Sequence, residues 1–153
     1  MLEWRWQVQN LIPQADASRA ATDDAVARLI VSFHGNPKRL DFQDRIHLRL
    51  AKAVSGQALP YATLMYIWSS KLPVGTVHEH PRTHRIRVIV VSSGEDGVGQ
   101  WHDYRRSVVE DYRKAFGEEP WDIVAVGVMT DSDNTRQKAR CLYDDITFSQ
   151  TPE

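Results

Sequence analysis

Oxygen-bearing side chains cluster most densely in the run Asp131-Ser132-Asp133-Asn134-Thr135. Asp131, Asp133 and Asn134 fall at i, i+2 and i+3, a spacing that can turn three side-chain oxygens toward a hard cation such as calcium. No glycine follows at the place a helix-loop-helix calcium loop requires, and no distant glutamate completes the set. A turn in which Asp and Asn bond their own backbone is therefore the favoured reading, with calcium as the competing one. Asp23-Asp24 with Arg28 is a second candidate. Alternation along a strand would put Asp24, Val26, Arg28 and Ile30 on one face. There the charges either hydrogen-bond sugar hydroxyls or, as favoured, form a structural ion pair. His78-Glu79-His80 and His84 give three imidazoles within seven residues, a spacing suited to zinc or copper. They lie in a stretch containing Pro81, and incidental loop histidines are the favoured reading. No serine or cysteine stands in a nucleophile motif, and no glycine loop is built to cradle phosphate.

Large rings form the next group. Tyr66, Trp68, Trp101 and Trp121 are candidates to stack on a pyranose face. Core filling competes with that role, above all for Tyr66 and Trp68, which share a face. The ligand set expected from sequence is Asp24, Arg28, Tyr66, Trp68 and Trp101, with at least one ring exposed in a groove beside Asp24 or Arg28. Paired carboxylates drawn from Asp23, Asp24, Asp144 and Asp145 keep a carbohydrate-active hydrolase or lyase open as the alternative.

The elements that must position these residues are legible in the hydrophobic pattern. Leu2, Trp4, Trp6 and Val8 alternate with Glu3, Arg5 and Gln7, the period of a half-buried strand. Further strands are expected over 24–33, 62–69, 85–92, 121–130 and 140–148. Phe42, Ile46, Leu50 and Val54 recur every fourth residue before Gly56. Tyr104, Val108, Tyr112 and Phe116 do the same before Gly117. Both stripes predict amphipathic helices with glycine stops. Arg105, Arg106 and Asp111 then belong to the second helix as a solvated face, with Arg106 reaching Glu110. Many strands, two helices and no regular alternation of the two predict a mainly β fold, a jelly-roll-like β-sandwich with two helices in the connections. A strand starting at the second residue is expected to expose an unpaired edge and to favour self-association.

Composition narrows the field. The chain has 153 residues, enough for one domain with a real core, spanning 1–153. Its 19 basic and 20 acidic side chains are interspersed and leave a net charge of -1. That balance gives no footprint for nucleic acid and no polybasic membrane patch. Cys141 is the single cysteine, so no intramolecular disulfide can form; it reads as a small half-buried side chain. No apolar run reaches the ~20 residues of a membrane helix. No basic, apolar leader opens the sequence. The expected compartment is the cytoplasm, or the periplasm or envelope if a leader normally precedes this chain.

These motifs together resemble a bacterial family. They are Leu2-Glu3-Trp4-Arg5-Trp6, Asp23-Asp24 before Ala27-Arg28, and Tyr66-Ile67-Trp68. Trp101 with Arg105-Arg106, Asp111-Tyr112, Ala115-Phe116-Gly117, Met129 to Thr135 and Tyr143 to Phe148 complete the pattern. In order and spacing they are similar to domain-of-unknown-function family 3047, from residue 2 to about residue 148. The resemblance implies a sandwich of the galactose-binding kind and, in many members, export with further sequence ahead of the Trp-Arg-Trp strand. This chain starts inside the domain, and one or two early strands are expected to be missing. The family supplies no catalytic residues. The function expected is a non-catalytic ligand-binding module, with carbohydrate as partner and no cofactor unless calcium occupies the Asp131 loop; a purely structural domain is the third reading.

Overall fold

Strand β1 (Leu2–Val8) buries Leu2, Trp4, Trp6 and Val8, while Glu3, Arg5 and Gln7 lie on the other face. In this computed structural model, which describes residues 1–150, β1 is not an edge. It lies between β6 (Trp101–Arg106) and β8 (Cys141–Phe148), antiparallel to both, in a three-stranded sheet. The unpaired edge expected near the start is thus covered on both sides, because β1 exchanges hydrogen bonds with two partners from the C-terminal half.

The facing sheet has five strands. β2 (Ala25–Phe33), β3 (Ala62–Ser69), β4 (Val77–His80), β5 (Thr83–Ser93) and β7 (Ile123–Asp131) lie in the order β4-β5-β3-β2-β7. β3 and β5 are parallel, with Met65 opposite Val88. β4 runs back one strand position away from β3, and β5 folds antiparallel to it into the gap, so a parallel pair arises without a crossover helix. The mainly β sandwich with two helices is as expected. β4 and β6, however, occupy segments read as loop and as helix, and Tyr104, Arg105 and Arg106 belong to β6.

Between the sheets the rings interlock. Trp4 stacks on Tyr104 at 4.9 Å and packs against Tyr66 at 5.2 Å, while Trp6 meets Trp4 edge-on at 5.6 Å. Trp6 Nε1 donates to Tyr104 Oη and Trp68 Nε1 to the Gly94 carbonyl, so these two buried indoles keep a polar partner, whereas the buried Trp4 Nε1 has none. Trp4 and Trp6 are core anchors.

The helices behave differently from one another. α2 (Val108–Phe116) starts at Ser107, whose side chain accepts from the Glu110 amide, and stops at Gly117 with φ of 70°. Its stripe packs inward, Tyr112 lying 4.6 Å from both Phe33 and Phe116. α1 (Phe42–Ser55) has the same devices, Asp41 accepting from the Asp44 amide and Gly56 stopping it at φ of 72°. Its stripe points outward: Phe42 is 70%, Leu50 61% and Val54 89% exposed. Leu48, on the opposite side of the helix, is the side chain that packs against the core.

Candidate functional site

A buried polar network forms around Arg28, on the outward face of the larger sheet. A bulge in β2 between Ala25 and Arg28 breaks the alternation expected there. Arg28 thereby shares a face with Ala25, and Asp24 does not join it. The Arg28 guanidinium donates to the Asp23 carbonyl at 2.9 Å and to its carboxylate at 3.3 Å, contacts Met65 Sδ, and stands 3.6 Å from Asp131. His80 Nε2 meets Asp23 at 2.7 Å, while its Nδ1 accepts from the Arg82 amide, which fixes the ring. Burial pushes the Asp23 carboxyl up, but the His80 and Arg28 hydrogen bonds outweigh it and hold its pKa below the ordinary 3.8. Burial raises Asp131 instead. Its guanidinium contact is longer than that of Asp23 and does not offset the desolvation.

Asp24, Asp131 and Asp133 bring one oxygen each to within 4.8 Å of one another. The Asp24 and Asp131 carboxylates both have backbone partners. Asp24 accepts from the Asn134 amide at 3.2 Å and the Thr135 amide at 2.7 Å; Asp131 accepts from the Asp133 amide at 3.3 Å. Asn134 donates its side-chain amide to the Ala20 carbonyl at 2.7 Å. Asp24 therefore ties the 131–135 turn to the start of β2, and the Arg28 charge beside Asp131 competes electrostatically with any cation. His84 pairs with Glu79 at 2.8 Å on the surface, and His78 and His80 lie on β4.

The five residues expected to bind ligand do not meet. Tyr66 and Trp68 lie wholly inside the sandwich and offer no face to a sugar. Asp24 and Arg28 are buried at the start of β2, level with Tyr66 and Trp68 on β3, but the Arg28 side chain lies on the opposite face of the sheet from those rings. Trp101 is exposed, but on the outer face of the three-stranded sheet, with the Arg5 guanidinium 4.8 Å from its ring centre. Asp144 and Asp145 lie on β8 of the three-stranded sheet, whereas Asp23 and Asp24 immediately precede β2 of the larger one. Cys141 is half-buried, and burial pushes its thiol up to about 11, which leaves it a poor nucleophile.

Two clefts open where the sheets part. Between β5 and β6 lies a cavity of about 380 Å³ with Ile89 and Val91 on one wall and Arg105, Arg106, Asp111 and Lys114 around it. Its inner end is a closed polar unit. Tyr66 Oη donates to Asp111 Oδ2, and Arg106 Nε donates to the same oxygen at 2.9 Å while its second nitrogen bonds Oδ1. Arg106 thus pairs with Asp111, from strand to helix, rather than with Glu110. Burial, reinforced by the Asp111 carboxylate, raises the Tyr66 phenol well above its ordinary value.

At one end of the sandwich, where β7 begins and β8 ends, lies a larger cavity of about 430 Å³. Trp121 and Phe148 line it at 49% and 46% exposure, beside Ser107, Asp122, Ile123 and the inner ring Phe33. Trp121 is among the rings singled out from the sequence. Ser107, Asp122 and Phe148 are not, since they come from separate stretches and no local motif joins them.

Fold and cleft together define a β-sandwich domain with an open, aromatic-lined end. Residues 1–147 match the family described as Protein of unknown function (DUF3047), and the chain belongs to that family. No curated protein and no solved structure matches the chain. No helix among the described residues is long and apolar enough to cross a membrane.

Proposed function

We propose that this domain is a non-catalytic ligand-binding module, that its site is the cavity lined by Trp121 and Phe148, and that carbohydrate is the ligand class. One observation carries the reading. Two rings that a core would bury stand half-exposed in a cavity of about 430 Å³, with Asp122 and Ser107 also on its wall. A pyranose presents an apolar C–H face and a rim of hydroxyls, and such a site offers both a stacking surface and hydrogen-bonding groups. The Asp23, Asp24 and Asp131 carboxylates are committed to Arg28, His80 and backbone amides, which supports binding over acid–base chemistry.

The test is tryptophan fluorescence titrated with a panel of oligosaccharides, on the natural chain and on Trp121→Ala. A saturable change on at least one saccharide, absent in Trp121→Ala but kept in Trp101→Ala, is the expected result. Saturation that survives Trp121→Ala moves the site elsewhere, and no response across the panel overturns the ligand class.

A further inference from the structure

The sandwich has four edge strands, and three carry devices that discourage another strand from adding on. β4 is only four residues long and includes Glu79 between two histidines. β6 carries Asp103, Arg105 and Arg106. β8 carries Asp144 and Asp145, and Asp145 takes a left-handed φ of 52° at a register shift that kinks the strand. Short length, charge and a bulge are the ordinary protections of a sheet edge. β7 has one bulge, at Val124, and none of these devices from Ala125 to Thr130. From Ile123 to Thr130 it holds neither charge nor proline, and both its faces are exposed. Val126 and Val128 lie opposite Val31 and Leu29, on the inner face of the sheet, yet are 40% and 44% exposed.

We infer that β7 pairs antiparallel with β7 of a second copy of this chain, joining the two five-stranded sheets into one. The occupant follows from the strand's own complementarity. In such a pair the twofold axis stands perpendicular to the sheet, so each residue opposes one on the same face. The regular stretch of β7, Ala125 to Met129, is centred on Gly127. With the axis through Gly127, each Val126 opposes the other copy's Val128, and Ala125 opposes Met129. Asp131, beyond this stretch, falls beside the other copy's bulged Ile123–Val124 segment, and no like charges meet. Glycine at the axis puts no side chain between the two copies there. Because the inner faces stay on the same side, the two β8 strands, each with Ile146 38% exposed, also come to lie on one side of the joined sheet.

Sedimentation velocity over a concentration series tests this on the whole chain, with far-UV circular dichroism as the check on folding. The natural chain is expected to double in mass as concentration rises. Val126→Lys with Val128→Lys places lysine opposite lysine and should leave monomer at every concentration. Val126→Lys with Val128→Glu places opposite charges in register and should restore the dimer. A natural chain that stays monomeric overturns the inference, and so does dimerisation that survives the double lysine change. Loss of the dimer in both double variants overturns the register. The inference does not depend on the proposed saccharide site, whose titration is read separately.

Discussion

α1 and α2 carry the same signature in sequence, an apolar residue at every fourth position, a polar N-cap and a left-handed glycine stop. One lays its stripe on Phe33 and the core, and the other holds its stripe in water. The difference lies in where the connections lead. α2 follows β6 directly and is clamped by Arg106 to Asp111 and by Tyr66 to the same carboxylate. α1 sits in an excursion between β2 and β3, adjacent antiparallel strands in which Phe33 already faces Ala62. The sheet does not need that excursion to connect them. Periodicity thus says that a helix forms and which side is apolar, but not what covers it.

The strongest way to break this comparison is truncation of the two stripes. Tyr112→Ala should cost about 3–5 kcal/mol in chemical denaturation, since it removes a buried ring between Phe33 and Phe116. A loss below about 1 kcal/mol would mean that α2 is no better anchored than α1, given the usual size of surface effects. Asp111→Ala comes next, at about 1–3 kcal/mol, because Tyr66 Oη and Arg106 both lose their acceptor. Circular dichroism melts of that variant check it, and Arg106→Ala in the same background should add little if the three act as one unit.

The caps sharpen the contrast further. Nothing lies within 4 Å of a Cβ built at Gly56 or Gly117, so alanine at either meets only the left-handed backbone cost. That cost is about 1–2 kcal/mol locally. Global denaturation should register most of it for Gly117→Ala and less for Gly56→Ala, because a helix held chiefly through Leu48 can fray without opening the core. Hydrogen exchange of α1 amides faster than those of α2 is the matching observation. The smallest effect is expected for Leu50→Ser, within about 0.5 kcal/mol of the natural chain. A destabilisation above 2 kcal/mol would show that the α1 stripe is covered in solution.

Much of the architecture was legible. The alternation of Leu2, Trp4, Trp6 and Val8 marked β1 and its buried face, and the glycines at 56 and 117 marked both helix ends. β6 was hidden because the spacing of Tyr104, Val108, Tyr112 and Phe116 runs continuously from strand into helix; Tyr104 fits the helical stripe by coincidence. β4 was hidden because His78-Glu79-His80 lacks the β-branched residues that advertise a strand. Alternation also misled at Arg28, where one bulge residue reverses the face. The aromatic cleft had no local signature at all. Trp121 was visible as a large ring, but Ser107, Asp122 and Phe148 become its neighbours only when β6, β7 and β8 have assembled.

That assembly has a consequence in time. β1 pairs only with β6 and β8, so residues 2–8 find no partner until residues 101–106 have been made, and the small sheet is complete only after 141–148. β2, β3, β4 and β5 are closer neighbours in the chain and can form much of the larger sheet first. A growing chain therefore holds the β1 backbone unpaired for most of its synthesis, although Tyr66 can already give Trp4 an aromatic neighbour. Closing such distant strands costs loop entropy before their contacts return it, which places refolding in the slow millisecond-to-second regime of β-rich domains. Protection of β1 amides in pulsed hydrogen exchange should lag behind that of β2 and β3.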